Sequence, residues 1–195
     1  MIIGITGGSG CGKTTALNVI RDIGGLVLDC DAIYHSLLKT DTQMLSAIED
    51  RFPGTVENGT LNRKKLGTIV FADEKSLLDL NAITHGAVKK EVLRQLESNP
   101  MLAAIDAIGL FEGGLAELCD VTVAIIAPEE DRVQRLMARD GISEEYARNR
   151  ITAQHDEDWF RAHCDYILEN NGKLDAFATK CVAFFKSLSI MEENP

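Results

Sequence analysis

The segment GGSGCGKTT, residues 7–15, constrains the fold of this chain more than any other. Gly7, Gly12, Lys13 and Thr14 match G-x-x-x-x-G-K-[ST], the pattern of a phosphate-binding loop. Its glycines let the backbone wrap around an anion, so that successive N–H groups and the positive end of the following helix face the phosphates. The pattern predicts that Lys13 reaches the β- and γ-phosphates of a nucleoside triphosphate and that the Thr14 hydroxyl ligates Mg²⁺.

The segments on either side have the character that such a loop requires. Residues 1–6 form a short apolar run, typical of a buried parallel strand. Apolar residues then recur at helical spacing from Ala16 to Ile23, and Gly24 and Gly25 end the helix. This context argues against the alternative, a glycine-rich turn that binds no phosphate, and indicates a nucleoside triphosphate site.

Alternating strands and helices along the rest of the chain predict an α/β fold. Apolar runs at 26–30, 102–108, 121–127 and 166–170 are the predicted strands, and helical patterns separate most of them. Such alternation favours a three-layer parallel sheet with ligands at the carboxyl ends of the strands. Residues 32–100 contain no convincing strand and are predicted to form a helical substrate-binding insertion. The P-loop core then comprises residues 1–31 and 101–195.

Composition limits the partners of the chain. It has 195 residues with 20 basic and 30 acidic side chains, a net charge of −10, which disfavours nucleic acid or an anionic membrane as a main partner. No apolar run is long enough to span a membrane.

Five cysteines without a C-x-x-C pair fit a reducing compartment, so a cytoplasmic location is predicted. Cys11 and Cys30 both flank the expected site, which leaves a redox role open beside an inert structural one. We expect a monomer or a weak homo-oligomer.

Two aspartates follow the second predicted strand, at its ligand-binding end. Asp29 and Asp31 share one face of a strand unless the strand ends between them. A carboxylate at this place can accept the proton of an acceptor hydroxyl and orient it for in-line attack on the γ-phosphorus. Helix capping is the equally weighted alternative, because a helical pattern begins directly afterwards.

Arginines cluster late in the chain. Arg132, Arg135 and Arg139 share one face of a predicted helix, and Arg148 and Arg150 follow on the next helix. This pattern favours a helical lid, at about 129–155, that closes over the transferring phosphate and excludes water. A solvated face of salt bridges is the alternative. With the loop and the sheet, the lid indicates a P-loop NTPase of the nucleoside-monophosphate-kinase-like type.

Several segments, spread over nearly the whole chain, resemble the dephospho-CoA kinase family. The loop GITGGSGCGKTT is similar to that of the family, with Cys11 and Thr14 in place of two serines. The segments LDCDAIYHSLL (28–38), LNRKKLGTIVFAD (61–73), RLMARDGISEEYARNRITAQ (135–154) and DYILENNG (165–172) also resemble family motifs. The resemblance implies ATP-dependent phosphorylation of the ribose 3′-hydroxyl of dephospho-CoA, which gives coenzyme A and completes its synthesis.

The resemblance also implies roles for single residues. Asp31 is the implied base, Lys13 and Arg139 act on the transferring phosphate, and Arg63 and His85 bind the acceptor. Thr14 and Asp106 are implied to hold Mg²⁺. The implied ATP-binding positions are Gly8, Gly10, Cys11, Gly12, Lys13, Thr14, Thr15 and, beside the adenine, Asn170 and Asn171.

Two departures from the family pattern fall on the acceptor side. Gly86 follows His85 where the family has proline, and Gly109 stands where the family has a leucine. A lone histidine is otherwise as often a hydrogen-bonded surface group. The departures keep open a P-loop kinase for another small acceptor, such as a nucleoside or nucleotide. A nucleotide-dependent switch is the alternative from another functional class, and a structural role with a decayed active site is the least favoured.

Overall fold

The computed structural model describes residues 1–172 and 174–193, with the side chains of all of these except 174 and 189–193. In chain order the elements are β1 Ile2–Thr6, α1 Lys13–Asp22, β2 Leu26–Asp29, α2 Cys30–Thr40, α3 Thr42–Arg51, β3 Val56–Glu57, β4 Thr60–Leu61, α4 Arg63–Val70, α5 Glu74–Leu96, β5 Ala103–Asp106, β6 Val121–Ile126, α6 Glu129–Asp140, α7 Glu144–Thr152, α8 Glu157–His163, β7 Tyr166–Glu169 and α9 Leu174–Glu193. A short 3₁₀ turn, Ala116–Leu118, precedes β6.

The main sheet has five parallel strands in the order β2-β5-β1-β6-β7, which confirms the predicted α/β fold. Because β1 lies at the centre, the loop that follows it emerges at the middle of the carboxyl edge. Asp29 at the end of β2 is in register with Asp106 at the end of β5, and Asp106 is in register with Ile5 of β1. The chain therefore brings two carboxylates and the phosphate-binding loop to one edge of the sheet.

Helices cover both faces of the sheet. On one face, α1 and α9 pack against β1 and β6, with Leu17, Ile20, Phe177 and Phe185 in the core. On the other face, α2 and α5 pack against β2 and β5 through side chains that include Ile33 and Val92. The predicted helical insertion is thus joined to the sheet by its first and last long helices.

The insertion itself differs from the prediction in one respect. It was expected to lack strands, but Val56–Glu57 and Thr60–Leu61 pair as an antiparallel hairpin. Asn58 and Gly59 form its turn with φ values of 50° and 74°, as a two-residue hairpin turn requires. Two-residue strands are too short to show an alternating pattern, which is why the sequence did not reveal them.

The second predicted strand is also one residue shorter than expected. It was predicted to reach Cys30, but β2 ends at Asp29 and Cys30 already begins α2. The Asp29 side chain accepts a hydrogen bond from the backbone N–H of Ala32 at 2.9 Å and so caps α2. Since the strand ends between them, Asp29 and Asp31 take different orientations.

The segment predicted to form the lid consists of α6 and α7, which pack against each other. Val133 and Leu136 of α6 pack on Ala147 and Ile151 of α7, and Ser143 caps α7 through the N–H of Tyr146. Arg148 ties the two helices together through Glu129, Glu130 and Glu144, at 2.8–2.9 Å.

One helix was not predicted from the sequence. In α8, Trp159 stacks between His155, which precedes the helix, and His163, with ring centroids 3.7 Å and 4.1 Å away. The Trp159 ring also contacts Phe111, in the turn after β5, edge to face, and His155 pairs with Glu112 at 2.7 Å. These contacts join the end of the lid to the turn after β5.

Among the residues that the structure describes, no helix has the length and apolar character needed to cross a membrane.

Replacing two glycines, one at the end of a helix and one inside a helix, by alanine should change the free energy of unfolding in opposite directions. Gly141 ends α6 with φ 64°, a left-handed conformation that alanine adopts at a cost, so Gly141→Ala should lower the free energy of unfolding by about 1 kcal/mol. Gly86 lies inside α5, and a Cβ there would meet no atom of the described residues within 4 Å. Gly86→Ala should therefore raise the free energy of unfolding by about 0.5–1 kcal/mol. Urea unfolding of both variants and of the native chain measures the two changes in the free energy of unfolding. A fall for Gly86→Ala would show that α5 is not a regular helix at this place.

Candidate active site

The loop after β1 wraps as the sequence predicts. Gly7 has φ 131°, and a Cβ on it would collide with the carbonyl oxygen of Ile125 in β6. Gly12 has φ 107° and is the N-cap residue of α1, so the first N–H groups of the helix are directed toward the loop. The Lys13 Nζ atom donates to the carbonyl oxygens of Gly7 at 2.6 Å and of Gly8 at 3.5 Å. The loop therefore presents backbone donors and one ammonium group on the same side.

A cavity of about 360 Å³, which we call the loop cavity, opens over this segment. Its floor is the loop with Lys13 and Thr14, and the side chains of Asp31 and Asp106 line one side. The lid contributes the three arginines at positions 135, 139 and 150. Four cationic side chains thus face two carboxylates around a space lined by backbone donors, which is the charge pattern of a site for polyphosphate and a metal ion.

Asp106 is the most strongly perturbed group in the loop cavity. Burial raises its pKa to about 6, and the nearby charges of Asp29 and Asp31 add to the rise while Lys13 opposes it. Its Oδ1 atom is buried and has no hydrogen-bond partner among the described residues. Such a carboxylate oxygen is a suitable ligand for a cation. A bound cation would supply the positive charge and the direct contact that this oxygen does not receive from the described protein groups.

Asp31 lies at the junction of two cavities. A second cavity of about 280 Å³, the side cavity, is bounded by α2, α5 and the turn after β5. Asp31, Ala107 and Ile108 line both the loop cavity and the side cavity. A group bound in the side cavity could therefore meet a group bound in the loop cavity at Asp31. The other aspartate, Asp29, is engaged in capping α2.

The side cavity contains one of the two predicted acceptor-binding residues. His85 lines it together with Tyr34 and Asn81. Arg63 does not line it but lies beside it, where its Nη2 atom is 3.2 Å from Nδ1 of His35. Burial raises the pKa of Tyr34 and the Arg63 guanidinium opposes that rise, so Arg63 acts electrostatically on a residue of the cavity. Gly109, one of the departures from the family pattern, also lines this cavity.

The five candidate arginines fall into three groups. Arg139 and Arg150 converge on Asp140, at 2.7 Å and 2.8 Å, and both line the loop cavity. Arg132 and Arg135 donate to the backbone carbonyls of Ser9 and Gly10, respectively. Arg148 is held by three glutamates, as the alternative interpretation of a salt-bridged face predicted for some of these side chains. Arg135, Arg139 and Arg150 are therefore the lid arginines that line the loop cavity.

The two asparagines after β7 lie outside the lining of the loop cavity. Asn170 is buried, and its Nδ2 atom donates to the carbonyl oxygen of Cys11 at 2.8 Å. Asn171 is exposed and bonds to Glu169 at 3.2 Å. Asn170 thus supports the loop from behind, a contact that the sequence did not predict, while the predicted place of both residues beside adenine stays a prediction.

Sequence reasoning missed two polar side chains at this site. Gln154, just after the lid helices, bonds to the backbone and side chain of Ser9 in the loop. Asp140 holds the lid arginines. Gln154 and Asp140 both lie inside the lid segment that resembles the family, but that resemblance covers the whole of residues 135–154 and does not single out either one.

Burial favours the protonated form of the two thiols near the site. It raises the pKa of Cys11, and it raises the pKa of Cys30 to about 12 with help from Asp106. Both thiols therefore stay protonated near neutral pH, as inert residues do and as redox-active cysteines do not.

Asp106→Asn should stabilise the protein when divalent cations are removed by a chelator. The folded chain holds the Asp106 proton more tightly than the unfolded chain, since the pKa is raised from 3.8 to about 6. The free energy of unfolding of the native chain should therefore fall by up to about 3 kcal/mol as pH rises from about 4 to about 6, and stay low above that. The asparagine variant has no such charge and should be more stable than the native chain above about pH 7.

Urea unfolding across this pH range measures the difference. Asp50→Asn, on the exposed side of α3, is the matched control and should follow the native curve. Identical pH dependence in the native chain and Asp106→Asn would show that burial does not raise the pKa of Asp106.

Comparisons with known proteins agree on one family. The model of the dephospho-CoA kinase family matches residues 1–176. A dephospho-CoA kinase of Syntrophotalea carbinolica is 34% identical over 194 residues, which cover 96% of this chain and 92% of that protein. A dephospho-CoA kinase of Saccharomyces cerevisiae is 35% identical over 89% of this chain and 77% of its own length.

Solved structures give the same result for the fold. The dephospho-CoA kinase from Campylobacter jejuni superposes with a TM-score of 0.70 at 25% identity, over 98% of each chain. A crystal structure from Thermus thermophilus reaches 0.80 at 34% identity, over 96% of this chain and 97% of its own. A shikimate kinase from Bacteroides thetaiotaomicron, at 14% identity and a TM-score of 0.56, shares the fold alone.

Proposed function

The chain belongs to the dephospho-CoA kinase family, and we propose that it transfers the γ-phosphoryl group of ATP to the ribose 3′-hydroxyl of dephospho-CoA. The products are coenzyme A and ADP. The observation that carries the proposal is the position of Asp31, which lines both the loop cavity and the side cavity. This position suits a base between a bound donor and a bound acceptor.

Asp31 would act on the acceptor hydroxyl. Its carboxylate accepts the proton of the ribose 3′-hydroxyl as that oxygen forms a bond to the γ-phosphorus, and the bond from the γ-phosphorus to the bridging oxygen breaks to release ADP. In-line geometry requires the acceptor on the side of the γ-phosphate opposite to ADP. The side cavity opens beside the loop cavity at Asp31, which agrees with this requirement.

The cationic side chains would stabilise the charge of the transferring group. Lys13 lies in the loop, and Arg135, Arg139 and Arg150 reach the loop cavity from the lid. Asp140 accepts from Nε and from Nη2 of Arg139, which leaves both N–H groups of Nη1 and the second N–H group of Nη2 to contact a phosphate oxygen. Charges fixed before the reaction stabilise a transition state without reorganisation at the moment of transfer.

The residues at the loop cavity fit a magnesium ion. Thr14 supplies a hydroxyl, and Asp106 supplies a buried carboxylate oxygen that has no hydrogen-bond partner within the described part of the chain. No cluster of three or more histidine, cysteine or acidic side chains forms a cation site in the described part of the chain. Mg²⁺ suits such a sparse set, because it is usually held by one or two protein groups together with phosphates and waters. When bound, it neutralises charge on the β- and γ-phosphates.

The acceptor would occupy the side cavity. His85 and Tyr34 line it, and Arg63 lies at its margin, so that a guanidinium is available for the pyrophosphate of dephospho-CoA. A cytoplasmic location and a monomeric or weakly associated state remain predictions from the sequence.

Asp31→Asn should abolish most of the phosphoryl transfer. The amide cannot accept the hydroxyl proton, so kcat should fall by about 10²–10⁴-fold while the KM for ATP changes little. The assay is ADP release from ATP and Mg²⁺ with and without dephospho-CoA, with coenzyme A identified by its mass.

Asp29→Asn is the matched control for this experiment. Asparagine caps a helix as well as aspartate does, so this variant should keep the fold and most of the activity. Equal losses in the two variants would remove Asp31 from the role of base. ADP release that is indifferent to dephospho-CoA in the native chain would overturn the proposed function.

Thr14→Val should raise the Mg²⁺ concentration that ATP binding requires. Valine has the shape of threonine without its hydroxyl, so the variant lacks one proposed ligand, and we expect the Mg²⁺ requirement to rise by about tenfold or more. Thr14→Ser keeps the hydroxyl and should behave as the native chain does. Calorimetric titration with ATP at several Mg²⁺ concentrations measures this without the acceptor, and an unchanged requirement in Thr14→Val would contradict the assignment.

A further inference from the structure

We propose that Gln154 and Arg132 are positioning residues that hold the phosphate-binding loop in its binding conformation and fix the base of the lid to it. The inference rests on the proposed function only in taking ATP as the ligand of the loop. Neither residue lines the loop cavity; both line a neighbouring cavity of about 620 Å³ that also reaches Gly8 and Cys11 of the loop.

All three polar groups of Ser9 contact these two side chains. The Ser9 N–H donates to Oε1 of Gln154 at 2.8 Å, and Nε2 of Gln154 donates to the Ser9 hydroxyl at 3.0 Å. The Ser9 carbonyl oxygen accepts from Nε of Arg132 at 2.9 Å. A residue in the middle of a glycine-rich loop is thereby fixed by contacts from more than a hundred positions away in sequence.

The Gln154 amide has only one orientation that satisfies its neighbours. Its Oε1 atom receives hydrogen bonds from the Ser9 N–H and, at 3.2 Å, from Nη2 of Arg132. Both neighbours are donors, so a flipped amide would set its own N–H groups against them. The Ser9 hydroxyl, which can accept as well as donate, meets the amide nitrogen. The three residues therefore form a closed, mutually satisfied set.

Packing supports the same arrangement. Ser9 is 8% exposed. A Cβ on Gly8 would collide with the Arg132 guanidinium, and a Cβ on Gly10 would lie 2.8 Å from the Arg132 carbonyl oxygen. Arg135 adds a hydrogen bond to the carbonyl oxygen of Gly10 at 3.2 Å. The tip of the loop is thus seated against the first turns of α6.

These contacts connect the loop to both ends of the lid. Arg132 lies in the first turn of α6, and Gln154 lies just beyond the end of α7. Glycine-rich backbone loses much conformational entropy when it is fixed. If the protein fixes the loop before ATP arrives, ATP does not bear that cost, and the apparent affinity rises with the fraction of loops already in the binding conformation.

The test compares Gln154→Met with the native chain. Methionine has a similar length and no hydrogen-bonding groups, so it removes every contact of the Gln154 amide. We expect the dissociation constant for ATP with Mg²⁺, measured by calorimetry without acceptor, to rise about tenfold. Amide hydrogen exchange of residues 7–12 without nucleotide should become faster, while the thermal unfolding midpoint changes little.

Two further variants are the controls: one makes the same substitution at a site away from the loop, and the other keeps hydrogen-bond acceptors at position 154. Gln134→Met makes the same substitution at an exposed position on α6 and should match the native chain in affinity and exchange. Gln154→Glu keeps an acceptor for the Ser9 N–H and for Arg132, and the Ser9 hydroxyl can donate to its second oxygen, so its loop should exchange as slowly as in the native chain. Rescue of slow exchange by glutamate separates hydrogen bonding from a general effect of packing.

The outcomes decide between the alternatives. A folded Gln154→Met variant with native ATP affinity and native exchange overturns the inference, as does a Gln154→Glu variant that exchanges as fast as Gln154→Met. If Gln154→Met does not fold, Ser9→Ala takes its place, because it removes only the hydroxyl contact and should weaken ATP binding in the same direction by a smaller factor. Both readouts need ATP alone, so absence of acceptor-dependent transfer in the native chain would refute the proposed function and leave this inference intact.

Discussion

The parallel pairing of β2, β5 and β1 is the constraint on which the rest of the site depends. Carboxyl ends of parallel strands meet at one edge of the sheet, and the register sets Asp29 beside Asp106 and Asp106 beside β1. The phosphate-binding loop, the carboxylate of Asp106 and the start of α2 with Asp31 therefore share one space. A shift of one residue in β5 would move Asp106 to the opposite face of the sheet.

The acidic and the basic side chains around that space are held in different ways. The carboxyl group of Asp106 is buried, burial raises its pKa to about 6, and its Oδ1 atom has no hydrogen-bond partner in the part of the chain that the structure describes. The arginines of the lid are handled differently, because Asp140 orients two of them at the surface and three glutamates engage Arg148 between the lid helices. Asp106 thus lies at the end of a strand of the sheet, and the arginines lie on the helices of the predicted lid.

Local sequence patterns predicted the elements that have local causes. The loop, the parallel strands and the caps of the lid helices each have short signatures, and all of them form. The different orientations of Asp29 and Asp31 depended on the residue at which β2 ends, which a pattern of apolar residues leaves uncertain by a position or more. The structure resolves that question in favour of Asp29 as the cap.

Local sequence patterns did not predict contacts between residues that are far apart in the sequence. Gln154 is an uncharged side chain 145 positions from Ser9, and nothing in its neighbourhood distinguishes it from other polar residues of the lid. Arg148 and Arg150 look equivalent in the sequence, yet two positions along a helix turn them to different sides, one toward glutamates and one toward the loop cavity. The helix α8 has only seven residues, too few for a clear helical period.

The stacked rings at α8 have a practical consequence. Trp159 is the one tryptophan of the chain, and its ring lies between two imidazoles where the end of the lid meets the turn after β5. Excitation selective for tryptophan therefore gives a single, assigned emitter at the junction between the predicted lid and the turn after β5. A change in the surroundings of this ring can be followed by its emission, with no label attached and no residue changed.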